Sequence, residues 1–204
     1  MKTCITLISL TALTAIFSGC ASSGTPGRDA RYVDSEGTQT IVSLDKINIQ
    51  DWSNAADQMV QSMLISGVLD RAPTQPAVLG IGRITNKTTQ QVDTDYLTKK
   101  IRVALNQSGK VVTTTTYGLG DYAEDELARQ TMEIQKFENN DTSRQPLPYF
   151  TLTGKLLEDR ASAGKTNQVT YTFQLSLTQT NNGLAVWEDE KNITKQGERN
   201  AVGW

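Results

Sequence analysis

The side chains able to do chemistry in this sequence are carboxylates, hydroxyls and two thiols. Asp93 and Asp95 stand two residues apart, and Glu188, Asp189 and Glu190 form a run. Two carboxyl groups held about 5–10 Å apart could cleave a glycosidic bond. Both sets also read as solvated charge, with Asp93 or Asp95 supplying the negative charge favoured at a helix start. The 204 residues contain no histidine, so no Ser-His-Asp triad, Cys-His dyad or His-ligated zinc can be assembled. Asp121, Glu124, Asp125 and Glu126 cluster without the glycine and asparagine order of a calcium loop, which leaves them as a helix start. Gly80-x-Gly82 lacks the third glycine of a dinucleotide fingerprint and falls inside an apolar run. The sequence therefore assigns no catalytic, cofactor-binding or metal residue, and it reads as a non-enzyme. With 20 Lys and Arg against 22 Asp and Glu, it also lacks the basic excess of a nucleic-acid binder.

The thiols belong to Cys4 and Cys20. Met1-Lys2 is a short positive start, and Ile5 to Phe17 is a moderately apolar stretch. A membrane-crossing helix needs about 20 apolar residues, so this stretch reads as a secretory signal. It ends Phe17-Ser18-Gly19-Cys20, small residues before a cysteine. That ending resembles the bacterial lipobox, whose cysteine carries a diacylglycerol thioether and becomes the new N-terminus. Residues 1–19 are thus expected to be removed and Cys20 to hold the chain on a membrane by covalent lipid, with two or three acyl chains holding firmly. Ala21, where Asp would retain the protein at the inner membrane, is similar to an outer-membrane sorting signal. The stretch Ala21 to Thr40 has four apolar residues and no period, and it reads as a tether. Its root-mean-square reach is on the order of 25 Å, and its extended limit is roughly 70 Å.

Residues 41–204 read as one globular domain. Trp52, Ala56, Met59 and Met63 recur at helical spacing and predict a helix from about Asp51 to Leu69, capped by Asp51 or Ser53. Ala77 to Ile84 predicts a buried strand whose glycines allow a helix to pack closely. Leu97, Ile101, Ala104 and Leu105 predict a helix over 93–107, with Lys99, Lys100 and Arg102 as a solvated basic patch and Gly109 as the stop. Lys110 to Thr116 is β-branched and predicts a strand. A third helix opening at Asp121 is weakly amphipathic and peripheral, with Leu127 and Ile134 as its core residues. Tyr149 to Glu158 alternates, and so does Val169 to Thr178, which pairs a buried apolar face with a hydroxyl-rich one. Asn181-Asn182-Gly183 is a hairpin turn, and Leu184 to Thr194 returns as the last strand, carrying Trp187. The order implies an α/β (α+β) domain: a mixed sheet of four to five strands flanked by helices, ending in a β-hairpin. Mean hydropathy of −0.40 excludes a polytopic membrane protein.

Several of these segments, taken in order, carry a resemblance. They are Asp51-Trp52-Ser53-Asn54, Met59-Val60, Met63-Leu64, the strand closing at Asn86-Lys87-Thr88, the helix ending Ala104 to Lys110, and the hairpin from Gln179 to Trp187. With the lipobox they resemble the LpoB-type activators of penicillin-binding proteins, over roughly residues 48–197. The resemblance implies an outer-membrane lipoprotein facing the periplasm, without a cofactor, that binds and stimulates a bifunctional penicillin-binding protein. Enteric-type members have a long proline-rich tether, whereas this one contains only Pro26. The other reading is an anchored periplasmic domain serving a different assembly, such as a curli-export-like or secretion component. Trp187 with Glu188 and Asp189 is the expected partner contact, an aromatic anchor beside a polar rim. Core packing is the competing role for Trp187.

Overall fold

The computed structural model describes residues 46–116, 125–138 and 147–198. The signal, Cys20, the tether, the expected helix start at Asp121 and the terminal Gly203-Trp204 lie outside the described residues. Within them run α1 (Ile49–Ile65), a 3-10 turn (Val68–Arg71), β1 (Ala77–Asn86), α2 (Thr94–Gln107), β2 (Val111–Thr114), α3 (Glu126–Glu138), β3 (Phe150–Ala163), β4 (Thr166–Gln179) and β5 (Leu184–Glu198). The strands form one mixed sheet in the order β2-β1-β3-β4-β5. β1 lies parallel to both β2 and β3, while β3, β4 and β5 form an antiparallel meander.

Register decides which side chains share a face. Leu152 pairs with Leu177, Leu156 with Phe173, and Glu158 with Tyr171. Phe150, Leu152, Leu156, Val169, Tyr171, Phe173, Leu175 and Leu177 all enter one core, together with Trp52, Met59, Met63, Leu97, Ile101 and Leu105 from α1 and α2. Both helices therefore cover the same side of the sheet. As expected, Trp52 and Phe173 meet, their rings edge to face at 5.7 Å; Trp52 also meets Tyr171 at 6.2 Å. Gly154 makes this packing possible: a Cβ there would lie 2.9 Å from the Gln174 carbonyl oxygen and 2.9 Å from Leu175 Cδ2.

Five expectations need correction. The first helix is capped by Asn48, not by Asp51 or Ser53; Asp51 returns a carboxylate to the Asn48 N–H at 3.1 Å. It ends at Ile65, before Gly67 takes a positive φ of 70°. Arg102 is not in a solvated patch but 6% exposed, and burial holds its guanidinium pKa below the ordinary value. Gly80 and Gly82 face away from the helices: a Cβ on Gly80 would meet Pro148 at 3.3 Å, and one on Gly82 would meet Thr153 at 3.0 Å. Their clearance serves β3 and Pro148, two residues before it. Leu127 and Ile134 are not core residues, because α3 buries nothing.

Candidate interaction surface

The closing hairpin is built by local chemistry. Gly183 has φ of 71° and donates its N–H to the Gln179 carbonyl at 2.9 Å, while the Asn182 side chain accepts the Leu184 N–H at 3.0 Å. The register then slips by one residue: Thr178 pairs with Ala185, and Leu177 with Trp187. Val186 is the extra residue of a β-bulge, which re-aims the side chains beyond it on β5. Trp187 accordingly lies on the helix side opposite Leu177, half-buried against the core. Asp189 shares that side, opposite Leu175, and accepts the Glu190 N–H at 2.8 Å. Glu188 points to the other side, where Ser176 donates to its carboxylate at 2.8 Å. The structure thus brings Trp187 and Asp189 together on one face and separates both from Glu188.

The face away from the helices is a ladder of polar pairs. Thr170 meets Thr194 at 3.1 Å, Thr172 donates to Asn192 at 2.5 Å, Gln174 donates to Glu190 at 3.1 Å and Gln196 donates to Gln168 at 2.6 Å. No described helix covers it. These pairs order a strand that forms the edge of the sheet, with one row of backbone groups facing outward. A half-buried aromatic, an ordered polar face and an open strand edge are equipment for binding a protein. Of the carboxylates considered for catalysis, Asp93, Glu188, Asp189 and Glu190 accept hydrogen bonds within the fold. Asp93 caps α2, accepting the N–H groups of Asp95 at 3.0 Å and Tyr96 at 3.2 Å. Among the described residues, no group of three His, Cys, Asp or Glu could hold a metal.

The start of α1 is fastened to the far end of β5. Lys195 pairs with Asp51 at 2.6 Å and donates to the Lys46 carbonyl at 3.1 Å. The loop after β1 is held by Glu158, whose carboxylate accepts the Thr89 N–H at 2.8 Å and its hydroxyl at 2.9 Å and also pairs with Arg160. Burial alone would raise the Glu158 pKa; the hydrogen bonds from Thr89 and Arg160 outweigh it and hold it below the ordinary value. Between the starts of α1 and α2 lies a cavity of about 290 Å³, walled by Ile47, Trp52, Val92, Tyr96 and Leu97. The Trp52 indole N–H is buried and has no hydrogen-bond partner among the described residues.

The exposed apolar stripe of α3 is the surface feature that sequence reasoning misses. Its spacing is visible in the sequence, but helical spacing alone points such residues to a core.

A family model described as the peptidoglycan-synthase activator LpoB matches residues 51–193. No curated protein matches the chain in sequence. Among solved structures, the chain is similar to the LpoB C-terminal domain from Salmonella enterica, at 16% identity over 70% of this chain and 98% of that one, with a TM-score of 0.43. The corresponding domain from Escherichia coli gives 16% identity over 70% and 98%, with a TM-score of 0.42. Lipoprotein GNA1162 from Neisseria meningitidis gives 12% identity over 62% and 88%, with a TM-score of 0.36.

Proposed function

The chain belongs to the LpoB family of peptidoglycan-synthase activators, and from that premise we propose that it binds a bifunctional penicillin-binding protein and raises its rate of cell-wall synthesis. The observation that carries this reading is the extent of the family match, which runs from the first turn of α1 to the last third of β5. The proposed anchor is diacylglycerol and acyl chain on Cys20, placing the domain on the periplasmic side of the outer membrane. Both motifs for this are sequence motifs, Ser18-Gly19-Cys20 for lipidation and Ala21 for sorting.

Activation without catalysis is a matter of differential affinity. A synthase that exchanges between a less and a more active conformation is shifted only by a ligand that binds the active one more tightly. A tenfold change in that ratio requires about 1.4 kcal/mol of differential binding. A rigid sheet edge can supply this, because its polar ladder is ordered before the partner arrives and little entropy is lost on docking. The contact includes β5, with Trp187, Glu188 and Asp189 as the side chains to examine first.

The test is a pull-down of residues 21–204 from a membrane extract, with the bound proteins identified. Recovery of a bifunctional penicillin-binding protein, lost on competition with untagged domain, supports the proposal. Recovery of a secretion or fibre-export component in its place contradicts it.

A further inference from the structure

Helix α3 is thirteen residues long and buries none of them. A lone helix of that length is marginal in water. Its apolar side chains are nevertheless ordered. At about 100° per residue, Leu127 and Ile134 fall ~20° apart, with Phe137 ~60° beyond. They are 75%, 57% and 89% exposed. Together they present on the order of 400 Å² of side-chain surface, the size of patch that marks an interaction site.

The polar side of α3 is organised to hold the helix on its own. Arg129 bridges Glu126 at 2.5 Å and Glu133 at 2.7 Å. The Asp125 carboxylate accepts the Ala128 N–H at 2.8 Å, the bond of an N-cap. Asp125 also donates its own N–H to the Thr115 carbonyl at 3.1 Å, which ties the helix start to the chain leaving β2. The helix is thus hooked to the domain at one end and projects its apolar stripe outward.

We propose that Leu127, Ile134 and Phe137 are the anchors by which this chain seats α3 in an apolar groove of the peptidoglycan synthase. This rests on the functional reading above. The spacing i, i+7, i+10 is that of a helix-in-groove ligand. Two other occupants fit less well. A second copy seated on this stripe alone would need about 800 Å² from each partner, roughly twice what the stripe supplies, whereas the synthase contact proposed above also includes β5. A lipid surface selects helices rich in Lys and Arg on the polar side. Here Glu126, Glu133 and Glu138 outnumber Arg129 and Lys136. Glu126 and Glu133 lie ~20–40° from Phe137 around the helix, so the groove should carry basic side chains on that rim.

The experiment uses the full chain in mild detergent and the purified bifunctional penicillin-binding protein from the same cell. Binding is measured by surface plasmon resonance for the wild type, for Leu127→Ser with Ile134→Ser and Phe137→Ser, and for the conservative Leu127→Met with Phe137→Tyr. The serine variant should bind at least about 30-fold more weakly, with an unchanged unfolding midpoint because the three side chains are exposed. The conservative variant should bind as the wild type does. Amide hydrogen exchange over 126–138 should slow in the complex. Equal binding by the wild type and the serine variant overturns the inference while leaving the functional reading intact. A wild type that does not bind the synthase refutes the functional reading and, with it, the named occupant. A concentration-dependent dimer, or pelleting with phosphatidylglycerol vesicles, that disappears in the serine variant assigns the stripe elsewhere and also overturns the inference.

Discussion

Trp52 offers the sharpest test of the packing. It is 2% exposed and meets two aromatic rings edge to face, and its indole N–H has no partner among the described residues. Truncation to Ala removes a large buried side chain, at a cost of about 3–5 kcal/mol. The two ring contacts are worth about 0.5–1.5 kcal/mol each beyond area. Against this, removing the unpaired N–H returns about 1–3 kcal/mol. Trp52→Ala should therefore destabilise by roughly 3 kcal/mol or more. Trp52→Phe is different. It leaves a void of about 40 Å³, costing ~1 kcal/mol at ~24 cal/mol per Å³, while also removing the orphaned donor. The two effects nearly cancel, so Trp52→Phe should lie within about 1 kcal/mol of the wild type or be more stable. Urea unfolding of residues 21–204, monitored by far-UV circular dichroism, reads both. If Trp52→Phe proves as damaging as Trp52→Ala, the indole N–H is engaged and the reasoning fails.

Other positions make separate demands. Gly154→Ala should destabilise by about 1–3 kcal/mol through overpacking, because the new Cβ meets a backbone oxygen at 2.9 Å; an unchanged urea midpoint would remove the close approach from the account. Glu158 has a folded pKa held below its ordinary 4.5. Its contribution to stability is therefore present above about pH 4.5 and lost as pH falls below that toward the folded value. Glu158→Gln should be less stable at pH 7 and show a flatter acid limb in a pH series of thermal midpoints. Cys20→Ser should abolish labelling by a palmitate analogue, and undiminished labelling would remove Cys20 as the anchor. Trp187→Ala distinguishes core from contact: a large loss of stability assigns it to packing, and weaker synthase stimulation at an unchanged midpoint assigns it to the interface.

The features legible in the sequence are local ones. The alternation from Val169 to Thr178 names the two faces of β4 because strand geometry alone sends successive side chains to opposite sides. Asn181-Asn182-Gly183 declares its turn through the conformations Asn and Gly tolerate. The hidden features depend on distant residues or on a broken period. The neighbour that Gly80 must clear is Pro148, far along the chain. The side taken by Trp187 is set by a bulge at Val186, and a strict period of two has no place for an extra residue. In α3 the apolar spacing is readable, but a hydrophobic stripe records only that a surface is to be covered, not what covers it. That is why Leu127 and Ile134 are expected inside and found outside.

The most direct test of the account is the rate of glycan polymerisation by the purified bifunctional penicillin-binding protein, measured with fluorescent lipid II as increasing amounts of residues 21–204 are added. The account predicts a saturable rise in rate, with half-saturation at the dissociation constant measured for the same pair. A rate that stays flat while the two proteins demonstrably bind would contradict activation.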